Sequence, residues 1–583
     1  MRLRGSVVGA LGVALVFAAP AMGQGKNVQL VKTIPEGKWA TAINFLEYGG
    51  GGHGHGHGDR DRGGGGRSRD VMLVTGRFGL KSYSLDDPAK PQLLDEISSE
   101  RLKLPGDPDV DFTLKEDGDP KSTFWQNEDM DVDQDRKLVL ISRDPRSYKG
   151  STGIDPGDPP VDFSSDPQST FWQNEDMDVD QRRKLALISR DPRAYKGSTS
   201  REPGDPDPNG ATNIAGVYVV SAANPAKLKV LSFQQLPTGH TTTCVNRCRA
   251  LWTGGPASTD QDKAELGWTF GRPIIVTDLA NPKRPKAYPM RPVDLFRRDG
   301  VTAYSHDVQV DAMGIAWVSG DGGTRGYWTE GRHRDPVTGR VRQATAVNPI
   351  PYAGGGLQQA ITNDETGGFE HNAWRPVGQD APTSDPRYAA GELLLVTEED
   401  FGPPQEYCSK QGMFSINSLE GSFGGEAWKS TPENKFRLTV VGTWNPFEKE
   451  GSRPVGDYGP GDEFCSAHYF DVDGATVTYA WYAEGTRLLD ISDPANPTQF
   501  AYWRPDDGNV WASYLHNGFI YTADQARGVD VLRLTAGARA ARRSGKEVVA
   551  PRSNARHRAF VRGLAARYKA DPATAGLCLL PTV

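Results

Sequence analysis

Four of the chain's ten histidines stand in matching contexts: His240 in TGHTTT, His306 in YSHDVQ, His371 in FEHNAW and His468 in SAHYFD. Imidazole binds copper, zinc and nickel, and it carries protons near neutral pH. A single histidine at the head of a strand usually hydrogen-bonds a neighbouring carbonyl or carboxylate and does nothing more. Four at one register can do more if their strands succeed one another around an axis, because equivalent positions then form a ring. Where that histidine is missing, the repeated segment QNEDMD offers Glu128 or Glu175. His240, His306, His371, His468 and Glu175 are therefore the candidate metal ligands, with copper or zinc as the candidate ion. Width decides the matter, since ligand atoms must come within roughly 2 Å of one ion.

Other groups carry weaker chemistry. LLVTEEDFGPP places Glu398, Glu399 and Asp400 at a strand end, where paired carboxylates can do acid–base work but more often form a solvated turn. His53, His55 and His57 lie in GGGGHGHGHGDRDRGGGG, a low-complexity loop with incidental metal affinity. The chain has no G-x-S-x-G, H-E-x-x-H or P-loop, so the common hydrolase, metalloprotease and nucleotide readings have no support. Trp328, in GGTRGYWTEGRHRDP, is the aromatic candidate for an exposed ligand contact. Cys244 and Cys248 flank a turn-like triplet and suit a disulfide, Cys408 and Cys465 form the second expected pair, and Cys578 is left over. A zinc site on Cys244 and Cys248 would need a second half that the sequence lacks.

These residues must be positioned by repeated strands. YSLDDPAKPQLL, VVSAANPAKLKVL, IVTDLANPKRPKAY and LLDISDPANPTQF each end an aliphatic run in Asp-Pro or Asn-Pro, at Pro88, Pro225, Pro282 and Pro494, and then begin another strand. A few dozen residues earlier stands an alternating hairpin, as in YSHDVQVDAMGIAWVSGD or AHYFDVDGATVTYAWY. Four antiparallel strands per unit, with units packed face to face and their edges protected by radial closure, make an all-β propeller. Seven four-stranded blades are expected within 27–535, with long loop insertions. Inner strands begin near Ala40, Asn127 or Asn174, His240, His306, His371, His468 and Trp511, and NVQLVKTIP closes the ring on the last blade.

The Asp-Pro phrase resembles the LVIVD repeat of secreted and cell-surface bacterial β-propellers. That resemblance implies the fold and no single activity. By architecture alone the chain is also similar to propellers such as the selenium-binding proteins and nitrous oxide reductase, which hold copper through histidines.

One block is copied. Residues 122–152 return as 169–199 with differences only at 135/182 (Asp/Arg), 139/186 (Val/Ala) and 147/194 (Ser/Ala). Only the second copy continues into a Pro-turn strand pair, so the surplus hairpin is expected to loop out or to compete for the same slot. Residues 1–23 read as a secretory signal: Arg2 and Arg4, then an apolar run from Val7 to Ala19, then small residues. Secretion or cell-surface display follows, and no later apolar run is long enough to span a membrane. The tail 536–583 is Ala- and Arg-rich, reads as a short helix or loosely ordered segment in which Val561, Leu564 and Tyr568 share a face, and is a candidate for envelope association. A net charge of −7 argues against a nucleic-acid partner. The leading function is a binding scaffold for an extracellular protein, glycan or metal ion. The alternatives are a copper-type oxidoreductase built on the histidine ring and a structural envelope protein.

Overall fold

The computed structural model describes residues 23–48, 69–76, 78–102, 104, 125–127, 130–133, 137–141, 172–174, 177–180, 185–190, 215–236, 239–254, 274–288, 297–298, 301–302, 305–320, 324–335, 338–352, 369–378, 381–399, 412–419, 439–446, 466–551 and 553–570. The chain is a β-propeller. Among the described residues six blades are antiparallel and four-stranded: a first blade (Ala40–Ser98), four that carry His240, His306, His371 and His468, and a closing blade. The closing blade takes three strands from Val510–Leu534 and its outer strand, Val28–Ile34, from the N-terminal side. Gly23–Lys26 adds a fifth strand to the His468 blade, against Tyr502–Pro505.

The Asx-Pro phrase has a local cause. Asp87, Asn224, Asn281 and Asp493 each accept at Oδ1 from the N–H two residues on, at Ala89, Ala226, Lys283 and Ala495. The carbonyl of each also takes the N–H three residues on. The proline fixes φ at the next position, so side chain and backbone define one tight corner. Corners then fasten neighbouring blades: the carbonyls of Pro225 and Pro282 accept from Ser82 and Ser232. Trp252, Trp317, Trp444, Trp481 and Trp511 are fully buried, which places these aromatic residues in the packed interior. Trp328 departs from its expected role. It ends a blade strand, Arg325–Trp328, is half-buried, and stacks on His333 at 3.9 Å, so its ring face is already covered.

The duplicated block forms a further sheet, and here the chain offers too many strands. Ala215–Ser221 pairs with Lys229–Leu236 on one side. It also pairs with Leu185–Arg190 and with Leu138–Ile141, at the same register: Tyr218 stands opposite both Ile188 and Ile141, and Val220 opposite both Ala186 and Val139. A strand has two edges, so only one copy at a time can occupy the remaining edge. Hydrogen exchange on the unmodified chain should therefore find residues 138–141 and 185–188 each partly protected, their different masses (Val139 against Ala186) telling the copies apart. Full protection of one with none in the other would mean that a single copy owns the slot.

Candidate metal centre

The head of each inner strand is a repeated irregularity. In the ladders of the first, His306, His371 and closing blades the register slips at one residue: Thr41, His306, His371 and Trp511. Such a bulge leaves its residue out of the pairing and re-aims its side chain. His240 and His468 hold the same level, with their N–H groups on the carbonyls of Gly254 and Ala480. All four histidines are fully buried. Their rings form a continuous row from blade to blade, with centroids 4.6 Å apart for His240–His306, 4.4 Å for His306–His371 and 4.0 Å for His371–His468, and Trp511 continues it 4.3 Å beyond His468.

Hydrogen bonds orient these rings. His306 Nδ1 donates to the carbonyl of His371 at 3.0 Å, and His468 Nδ1 donates to that of Trp511 at 2.7 Å. Thr241 makes the equivalent link to the carbonyl of His306. Each link joins one blade to the next, which is the structural role expected of a strand-head histidine. It also fixes the tautomer, because a carbonyl only accepts: Nδ1 must carry the proton, and Nε2 of the neutral ring keeps its lone pair.

At one place the row becomes a cluster. Ligand atoms of His371, His468 and Glu399 lie within 4.8 Å of one another, and all three residues are buried. His371 Nε2 is 3.6 Å from Glu399 Oε2. An ion bound at roughly 2.1 Å spaces tetrahedral ligands by about 3.4 Å, so the His371–Glu399 pair already stands near that spacing, while the set as a whole would have to draw together to share one ion. Tyr482 donates to Glu399 Oε1, which leaves Oε2 toward the imidazoles. His468 Nε2 is buried and has no hydrogen-bond partner. Two imidazoles and a carboxylate are a normal donor set for zinc or another late transition metal.

Burial sets the protonation. His371 is pushed down to about 3 by loss of hydration, and His468 well below the usual imidazole value by burial and then by His371, so both rings are neutral at any physiological pH. Glu370, buried with neither oxygen hydrogen-bonded, is held well above the carboxylate range by burial and then by Glu398.

The expected site is thus partly assembled. His371 and His468 converge, while His240 and His306 extend the row without joining the ligand cluster. Glu128, Glu175, Asp400, His53, His55, His57, Cys408, Cys465 and Cys578 lie outside the described residues. Glu398 and Glu399 are buried strand residues of Leu393–Glu399, not a solvated turn. Cys244 and Cys248 are disulfide-bonded across a turn whose residues 246–248 all have positive φ. Sequence reasoning missed Glu399 as a member of this cluster. Its signal was its place as the last residue of the strand that pairs with the His371 strand.

No family model matches the chain, and no curated protein does. Among solved structures it is similar to the β-propeller domain of Myceliophteria thermophila Cps50 (Swd1), with a TM-score of 0.40 and 8% identity over 87% of this chain and 100% of that one. It is similar to the WD40 repeats of RRP9 with a TM-score of 0.39 and 8% identity, over 88% and 100%. For Chaetomium thermophilum Sqt1, in a structure with the N-terminus of the ribosomal protein L10 bound, the TM-score is 0.32 and the identity 10%, over 80% and 93%.

Proposed function

We propose that this protein is a metal-binding β-propeller in which His371, His468 and Glu399 hold one transition-metal ion, zinc or copper, at a mouth of the channel. The observation that carries this reading is the buried convergence of three ligand atoms from two adjacent blades, with the His468 tautomer fixed for Nε2 ligation. Three protein ligands leave a coordination position for water or a small ligand, so metal-dependent chemistry is the natural extension. A seven-bladed ring belongs to the same reading, one copy of the duplicated hairpin at a time completing the blade of 215–236. So does an extracytoplasmic location, supported by the basic-then-apolar N-terminal run and by the Cys244–Cys248 bond. The Asx-Pro corners support kinship with LVIVD-type propellers. Among the described residues no helix is long and apolar enough to cross a membrane.

A second reading, an interaction scaffold without an ion, is favoured by one observation: the histidine Nδ1 bonds tie blade to blade whether or not metal is present. Elemental analysis separates the two. The chain is prepared without an affinity tag and with His53, His55 and His57 replaced by alanine. About one zinc or copper per chain, retained through desalting, supports the metal centre. A protein that stays metal-free after loading with either ion overturns it in favour of the scaffold.

A further inference from the structure

Between Ala536 and Ala570 the described residues of the tail do not trail from the propeller; they pack against it. Helix Ala536–Ser544 packs beside the His468 blade, where Arg542 pairs with Asp490 at 2.9 Å. The chain then runs along that blade's outer strand: Val548 N–H donates to the carbonyl of Gln499 at 2.8 Å, and Glu547 accepts from Trp444 Nε1 at 3.1 Å. Arg504, near the far end of the strand, donates to the carbonyl of Pro551. Past that point the segment turns onto the loops beside His468. Asn554 donates to Asp506 at 2.6 Å, and His557 Nε2 donates to the carbonyl of Ala483 at 2.8 Å.

Antiparallel connectivity fixes which face this is. His468 opens the first strand of its blade, and 481–485 links the second strand to the third, so Ala483 lies at the same end of the blade as His468. Ala483 follows Tyr482, whose hydroxyl holds Glu399. The helix Ala555–Ala570 buries Val561 and Leu564 in the apolar cluster that contains Tyr469, Tyr482 and Trp511. Those three aromatic residues touch the candidate centre: Tyr469 packs against His371 and His468, and Trp511 against His468.

From this placement we propose that the helix Ala555–Ala570 is a lid, seated by Val561, Leu564 and His557, which must lift before an ion or small ligand can reach His371, His468 and Glu399. The proposal rests on the metal-centre reading for its purpose. Its geometry stands apart from that reading, because a lid can be tested by access to the histidines alone. The seat is apolar at its centre and polar at its edge, where Arg556 pairs with the half-exposed Asp507. Seating therefore depends on Val561 and Leu564 and little on Arg556.

The test uses the full chain, metal-free, with diethyl pyrocarbonate as the probe and peptide mass spectrometry as the readout. V561D/L564D puts two carboxylates into the seat. A559P breaks the helix at an exposed position and leaves the seat intact. Hydrogen exchange over 555–564 reports lifting in each. With lifting, carbethoxylation of His371 and His468 should accelerate at least about tenfold in both variants, while R556A behaves as the parent. In zinc-loaded protein the loss of zinc to a chelator should quicken in the same variants. Equal histidine reactivity in parent and lifted variants overturns the lid, as does unchanged protection of 555–564 in V561D/L564D. Failure to bind zinc at all overturns the metal centre and leaves the lid to be judged on carbethoxylation.

Discussion

On the proposed metal centre, His468→Ala should abolish tight binding of zinc, Tyr482→Phe should weaken it, and His240→Ala should leave it within a few-fold of the parent. The order follows from distance to the cluster. His468 supplies one of three protein ligand atoms, so its loss leaves two and costs more than the ten- to hundredfold, roughly, that an outer partner is worth. Tyr482 is such an outer partner: it holds Glu399 Oε1 and so leaves Oε2 toward the imidazoles of the proposed centre. Its replacement by phenylalanine should cost about ten- to hundredfold in affinity. His240 stands two rings away, beyond His306. Competition titration of zinc against a chromophoric chelator reads all three. A His240→Ala loss as large as that of His468→Ala would mean that the ion sits elsewhere in the row.

Glu484→Ala should be the most destabilising single substitution on the histidine face. Its Oε2 accepts from Arg487 at 2.6 Å and from Arg504 at 2.8 Å, and all three side chains are at most 1% exposed. One carboxylate thus serves two buried guanidiniums, and removing it leaves positive charge in a place water reaches poorly. Breaking such a pair from one side typically costs about 3–5 kcal/mol, and here two cations lose the partner together. Arg504 also holds Gln24 and the carbonyl of Pro551, so the damage should spread to the added N-terminal strand and the C-terminal strap. Urea unfolding followed by tryptophan fluorescence gives the total. Hydrogen exchange over 23–26 and 547–551 shows the spread. A loss under about 1 kcal/mol would mean that the cluster behaves like an exposed ion pair.

How much of this was legible in the sequence depends on the range of each interaction. The Asx-Pro corner is decided within four residues, by Asp493 on the N–H of Ala495 and its counterparts, so the repeat could be read directly. The histidine register was legible because the same strand head recurs. Glu399 was not, because it reaches His371 through the ladder in which Phe369 faces Glu399 and Glu370 faces Glu398, a pairing between strands well separated along the chain. Composition suggested a solvated turn there, and only the fold buries it. The tail's Val561 and Leu564 suggested a helix face, but a face acquires a meaning from the surface that covers it, and that surface is an apolar cluster drawn from residues far away in the chain, Tyr469, Tyr482 and Trp511 among them. The blade count stayed at six regular meanders plus one contested sheet, for the reason the duplication supplies: two nearly identical hairpins suit one strand equally well.

The N-terminal strands also carry a consequence in time. Thr33 donates to Asp530, 497 positions along the chain, and Gly23–Lys26 must find Tyr502–Pro505. At about 5–20 residues per second, roughly half a minute or more of synthesis separates the appearance of these strands from that of their partners. Through that interval the chain holds a row of unsatisfied backbone groups and cannot lock into a ring, a state in which it can still be threaded, captured by a chaperone or lost to aggregation. The strands made first are the last to be paired.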